Sequence, residues 1–135
     1  MAGPPEKKAI VVVEDNEAIA ELIKDLLNAE PDYQAVAVHD GALALEVIRS
    51  VKASLILLDL GLPGLDGLQV YDMIKADRAT CEIPILFVTA DPNNRDFRKR
   101  EITDFIAKPF ELDDLLARVA ALLTEGRRQK AEGRS

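Results

Sequence analysis

Four aliphatic runs in this chain each stop at a side chain that can do chemistry. "AIVVV" ends at Glu14–Asp15, "LILL" at Asp59, "IPILFV" at Thr89 and "DFIA" at Lys108. Asp59 is the oddest placement, because Gly61, Pro63, Gly64 and Gly67 follow it as backbone punctuation. Three carboxylates held together repel one another and raise one another's pKa unless a cation joins them. An oxygen-rich set of this kind suits Mg²⁺, which takes one or two carboxylates and accepts phosphate oxygens. Lys108 adds a point positive charge and Thr89 a hydroxyl donor. A carboxylate flanked in this way is equipped to become an aspartyl phosphate. Each residue alone has an ordinary role. Glu14, Asp15 and Asn16 could cap a helix, Asp59 and Thr89 could close turns, and Lys108 could be a solvated strand end. Those readings do not explain why every reactive group sits at a strand end.

The elements that must position these groups alternate along the chain. The apolar runs at 9–13, 34–38, 55–58, 83–88 and 104–107 read as strands, the first and third continuous enough to be buried on both faces. "QAVAV" is the weaker second strand and suits a sheet edge. Between the strands lie amphipathic segments: one with Ile19, Leu22, Ile23, Leu26 and Leu27 at helical spacing, and one capped by Asp40 with Leu43, Val47 and Ile48 on a face. "GLQVYDMIKAD" and "ELDDLLARVAALLTE" supply a third and a last helix, the latter with acidic residues in its first turn. "DPNNRDFRKREI" has only Phe97 and Ile102 as large apolar side chains, so the fourth helix is expected to be short and weakly packed. Alternating β and α segments imply an α/β fold: right-handed crossovers, and a doubly wound five-stranded parallel sheet with helices on both faces. All strand ends then share one edge, where open α/β sheets bind ligands.

Bulk properties narrow the classes. The 135 residues fit one domain, 48% hydrophobic and 30% charged. A formal charge of −7 argues against a nucleic-acid surface, which needs a basic face. No run reaches the ~20 apolar residues of a membrane span, and "MAGPPEKK" lacks a signal core, so a cytoplasmic protein is expected. The single cysteine, Cys81, excludes an internal disulfide and a cysteine-based zinc site. The only histidine, His39, has no ligand pattern around it and is read as structural. "GRRQKAEGRS" lacks apolar residues, and 125–135 is expected to be a disordered basic tail or a linker stub.

From about Lys8 to Leu123 the sequence resembles the receiver domain of two-component response regulators, the group that includes the single-domain chemotaxis regulator. The resemblance implies a domain over 8–124 with strand order 2-1-3-4-5. It also implies that Glu14 and Asp15 form the metal-binding pair, with Asp59 in "LLDLGLPGLDG" the phosphoacceptor and a Mg²⁺ ligand. The carbonyl of Gly61 becomes the backbone ligand. Thr89 in "FVTA" is the switch hydroxyl, Phe105 the switch aromatic, and Lys108 precedes a cis Pro109 in "AKPF". The implied function is a switch, not an enzyme acting on other molecules. A histidine kinase or phosphotransfer protein would donate the phosphoryl group, and output would pass to a downstream protein. Two departures touch the fourth helix: Glu101–Ile102 replaces a frequent Gly-Ala pair, and the Thr-to-Lys interval is about one helical turn short. Competing readings fit less well. A phosphohydrolase with an aspartyl nucleophile wants a second Asp at the position of Gly61. A flavin module wants a phosphate loop where Glu14–Asp15 would repel phosphate. A fold used only for docking has no need of the acidic set.

Overall fold

The computed structural model describes residues 7–61 and 66–132. The turn residues Pro63 and Gly64 and the last three residues of the expected tail lie outside them. Ten elements alternate in chain order: β1 (Lys8–Val13), α1 (Glu17–Asn28), β2 (Tyr33–Val38), α2 (Gly41–Val51), β3 (Leu55–Asp59), α3 (Gly67–Ala76), β4 (Ile85–Thr89), α4 (Arg95–Lys99), β5 (Phe105–Ala107) and α5 (Leu112–Glu132). The strands form one sheet, all pairs parallel, in the order β2-β1-β3-β4-β5. The expected edge position of the second strand is thus the observed one.

Strand side chains alternate between faces with period two, and the core divides accordingly. Val11, Val13, Ile56, Leu58, Ile85 and Phe87 meet α2, α3 and α4 through Ala44, Ile48, Val70, Ile74 and Phe97. Ile10, Val12, Leu55, Leu57 and Leu86 meet α1 and α5 through Ile23, Leu27, Leu115 and Val119. β3 and β4 are buried along their whole length, which is why their sequences are continuous apolar runs. Two expected core positions differ. Leu22 and Leu43 are each about half exposed; the seams of their helices are filled instead by Ala20, Ile23 and Leu27 on α1 and by Gly41, Ala44 and Ile48 on α2. Small residues let these helices sit close to the sheet, so the buried stripe is narrower than the apolar pattern.

The fourth helix is short, as expected, and Phe97 is its one buried residue. Phe97 is 2% exposed. Its ring lies edge-on to Phe87 at 5.2 Å and to Phe105 at 5.5 Å, and Tyr71 continues the file on the far side of Phe87 at 5.5 Å. Asn94 is the N-cap and accepts from the Phe97 N–H at 3.0 Å. Arg100 ends the helix with a fork on Asp72 of α3 (3.0 and 2.7 Å) and a third bond to the Asp96 carbonyl at 2.8 Å. Glu101 follows at φ 55°, a left-handed conformation that favours glycine; this is where the Gly-Ala pair was expected and is missing.

Of the stretch expected as a disordered basic tail or a linker stub, 125–132 continues α5 to Glu132. Gly126 is its only weak helix former and it contains no proline, while Arg, Gln, Lys, Ala and Glu all propagate a helix already nucleated upstream.

Candidate functional site

β1, β3, β4 and β5 deliver their last residues to one edge of the sheet. Beyond β1 the chain turns directly into α1, whose N-cap is Asn16, its side chain accepting from the Ile19 N–H at 3.1 Å. The capping role that could have absorbed all three residues is therefore filled by Asn16 alone. Glu14 and Asp15 are left for the pocket. Glu14 is buried, Asp15 exposed and Asp59 buried, and one carboxylate oxygen from each falls within 4.8 Å of the others. The Asn16 N–H donates to Glu14 Oε2 at 3.2 Å, and the Gly61 N–H donates to Asp59 Oδ1 at 3.1 Å.

Lys108 is the cation of the group. Its Nζ lies 3.0 Å from Glu14 Oε1 and 3.5 Å from Asp59 Oδ2. The backbone that carries it is fixed by a bond from its N–H to the Thr89 carbonyl at 2.8 Å, and the peptide to Pro109 is cis. Thr89 is buried; its Oγ1 accepts from the Asp91 N–H at 2.9 Å, so the hydroxyl proton is still available to donate. Phe105 is half-buried and packs against Phe97 behind the pocket.

One lysine does not neutralise this site. The Glu14 carboxyl is pushed up to about 7, first by burial and then by hydrogen bonding and repulsion from Asp59, with Lys108 acting in the opposite direction. Burial alone would lower the Lys108 ammonium, but the Glu14 and Asp59 carboxylates outweigh it and raise the group. An unfolded Glu ionises near 4.5 and this folded one near 7. The folded state therefore holds the extra proton between those values. Stability from that proton is complete below pH 4.5 and is lost as pH rises to 7. In metal-free buffer Glu14→Gln is expected to remove this fall, worth at most about 3 kcal/mol. Urea midpoints at pH 5 and pH 8 for both proteins check it, and an equal decline in the two would locate the pH sensitivity elsewhere.

The carboxyl edge thus holds every residue expected there: Glu14, Asp15, Asp59 with its Gly61 neighbour, Thr89 and Lys108. Three further groups serve the site. Asn16 and Asp91 supply N–H donors, and His39 places Nδ1 3.0 Å from the Glu14 carbonyl, in keeping with its structural reading. Of these, only the placement of Asn16 just before a helical pattern gave a signal in the sequence. Gly61 has no side chain that could act as the second acid of a phosphohydrolase.

A doubly wound parallel sheet with carboxylates and an ammonium at its carboxyl edge defines a flavodoxin-like domain with an acidic pocket. The chain belongs to the response regulator receiver domain family, whose model matches residues 10–120. It is 33% identical over 129 residues to the DNA-binding response regulator MtrA of Mycolicibacterium smegmatis, a match covering 93% of this chain and 55% of that protein. It is 35% identical over 127 residues to the transcriptional regulatory protein YkoG of Bacillus subtilis, over 89% of this chain and 53% of that one. The chain spans about half the length of the curated relatives it matches. Among solved structures it resembles the receiver domain of sensor histidine kinase PA1611 from Pseudomonas aeruginosa, with a TM-score of 0.78, 27% identity and coverage of 87% and 98% of the two chains. That structure has a magnesium ion coordinated in its active site cleft. The signal receiver domain of a histidine kinase from Syntrophus aciditrophicus gives a TM-score of 0.78 at 28% identity, covering 87% and 91%. The function is that of a two-component receiver, a switch phosphorylated on an aspartate. Among the described residues no helix is long and apolar enough to cross a membrane.

Proposed function

We propose that Asp59 is the phosphoryl acceptor and that the chain promotes its own phosphorylation in the presence of Mg²⁺. The observation that carries this is the meeting of Glu14, Asp15, Asp59 and Lys108 at one strand edge with a deficit of positive charge. A site of three carboxylates facing the Lys108 ammonium fits a hard divalent cation. Glu14, Asp15, Asp59 and the Gly61 carbonyl would hold it, with Asp15 the direct ligand of the pair. When bound, Mg²⁺ supplies charge neutralisation for phosphoryl oxygens.

A carboxylate oxygen of Asp59 attacks phosphorus in a phosphohistidine of a kinase or phosphotransfer protein, or in a small acyl phosphate. A P–O bond to Asp59 forms as the bond to the leaving group breaks, and the leaving group keeps the electron pair. Lys108 stabilises negative charge on the phosphoryl group. Thr89 donates its hydroxyl proton to a phosphoryl oxygen. The product carries about −1.5 to −2 of added charge. Its pull on Thr89 and Lys108 is felt at Phe105 and the ring file behind it, and a protein partner reads the altered surface. Hydrolysis of the acyl phosphate resets the site. The histidine kinase, the phosphotransfer protein and the downstream protein are partners by this reading; the DNA-binding activity in the relatives' names is theirs.

Incubation with acetyl phosphate and Mg²⁺ is expected to add one phosphoryl group by intact-mass analysis, and chelation or Asp15→Ala to prevent it. Glu14→Gln is expected only to weaken uptake. Full labelling of Asp15→Ala would overturn the metal assignment.

A further inference from the structure

Gly67 is the first residue of α3, and its N–H donates to the Leu60 carbonyl at 3.0 Å. A Cβ at this position would lie 2.2 Å from the Asp59 carbonyl oxygen, 2.7 Å from the Leu60 Cα and 3.0 Å from the Asp59 carbonyl carbon. All three atoms are main chain, so no rotamer change can make room. At Gly61, by contrast, a Cβ would meet nothing within 4 Å. The two glycines near Asp59 therefore differ in kind: one lies in open space, while the other is pressed against the peptide that carries the carboxylate.

We propose that Gly67 is a positioning residue for Asp59. Its missing side chain lets the first turn of α3 close onto the Asp59–Leu60 peptide. That contact sets where the Asp59 carboxyl and the Gly61 backbone leave the end of β3. The inference rests on Asp59 being the phosphoryl acceptor. The same turn is held from the other side by a capping box: Asp66 Oδ1 accepts from the Gln69 N–H and Gln69 Oε1 accepts from the Asp66 N–H, both at 2.9 Å. The helix start is thus locked in register with the peptide it presses on. Ordinary contact begins at 3.4 Å, so a methyl group at 67 forces helix and strand end apart by about 1 Å. A misplacement of about 1 Å can cost on the order of 100-fold in rate.

The test measures phosphoryl uptake from acetyl phosphate and Mg²⁺ by the full chain, with the folded fraction followed by circular dichroism. Wild type, Gly67→Ala, Asp66→Ala and Asp66→Asn are compared. Folded Gly67→Ala is expected to react roughly 10- to 100-fold more slowly. Asp66→Ala, which loses the cap, is expected to slow severalfold, and Asp66→Asn, which keeps a capping oxygen, to retain the wild-type rate. A purely structural role would lower the melting temperature and leave the rate constant of the folded protein unchanged. Folded Gly67→Ala reacting at the wild-type rate overturns the proposal. Should Gly67→Ala not fold, the Asp66 pair decides: a wild-type rate in Asp66→Ala, or equal slowing in both variants, overturns it. A wild type that takes up no phosphoryl group defeats the assignment of Asp59 instead, and the two failures are distinct.

Discussion

Asp59→Asn is expected to abolish phosphoryl uptake while leaving the fold intact. An amide oxygen is a poor nucleophile, and the acyl phosphate cannot form on it. The loss should be at least roughly a thousandfold, equivalent to about 4 kcal/mol of barrier. Unfolding is not the cause, because removing one charge from a crowded acidic set relieves repulsion. Asp59 is buried beside Glu14, and Lys108 keeps its 3.0 Å bond to Glu14 as a partner. Intact-mass analysis over time, with urea unfolding of the same sample, separates chemistry from stability. Residual labelling at Glu14 or Asp15 above background would mean that the pocket activates more than one carboxylate, and the acceptor would need reassignment.

Phe97→Ala is expected to produce the largest loss of stability among single substitutions on α4. Truncating a fully buried Phe costs about 3–5 kcal/mol, a large part of the 5–15 kcal/mol typical of a domain. Two edge-to-face partners, Phe87 and Phe105, would border the cavity. Those rings belong to β4 and β5, which limits how far the seat can collapse. The urea midpoint should fall with little change in slope. A loss under about 1.5 kcal/mol would show that α4 is held chiefly by the Arg100–Asp72 fork, and Arg100→Ala should then be the more damaging change.

The sheet and its reactive edge were legible because both come from short-range pattern. Continuous runs such as "LILL" and "IPILFV" announce buried parallel strands, and the residue after each run must lie at the carboxyl edge. Glu14, Asp59 and Thr89 were found in this way, without knowledge of any contact. Features that depend on three-dimensional proximity were not legible. The sequence marks Phe97 as the one apolar anchor of α4, but not the Phe87 and Phe105 rings that flank it. Leu22 and Leu43 were placed inward because periodicity marks apolar residues, whereas the depth of a helix on a sheet is set by Ala20, Ala44 and Gly41. The polar composition of 125–132 signals solvent exposure and says nothing of whether α5 continues through it. Gly67 looked like ordinary punctuation, and only the main-chain atoms around it show why a side chain is excluded.

The bond between Lys108 and Glu14 joins residues 94 positions apart. During synthesis at roughly 5–20 residues per second, Glu14 precedes Lys108 by about 5–20 s. β1, β2 and β3 can pair in that interval, and pairing them gathers Glu14, Asp15 and Asp59 before any lysine is there to offset them. Until β5, three residues long, docks on β4, Lys108 is not in place beside Glu14 and Asp59. Docking of β5 completes the sheet and brings Lys108 to Glu14 and Asp59. A chain that ends before β5 would lack both the edge strand and the Lys108 counter-charge at Glu14 and Asp59.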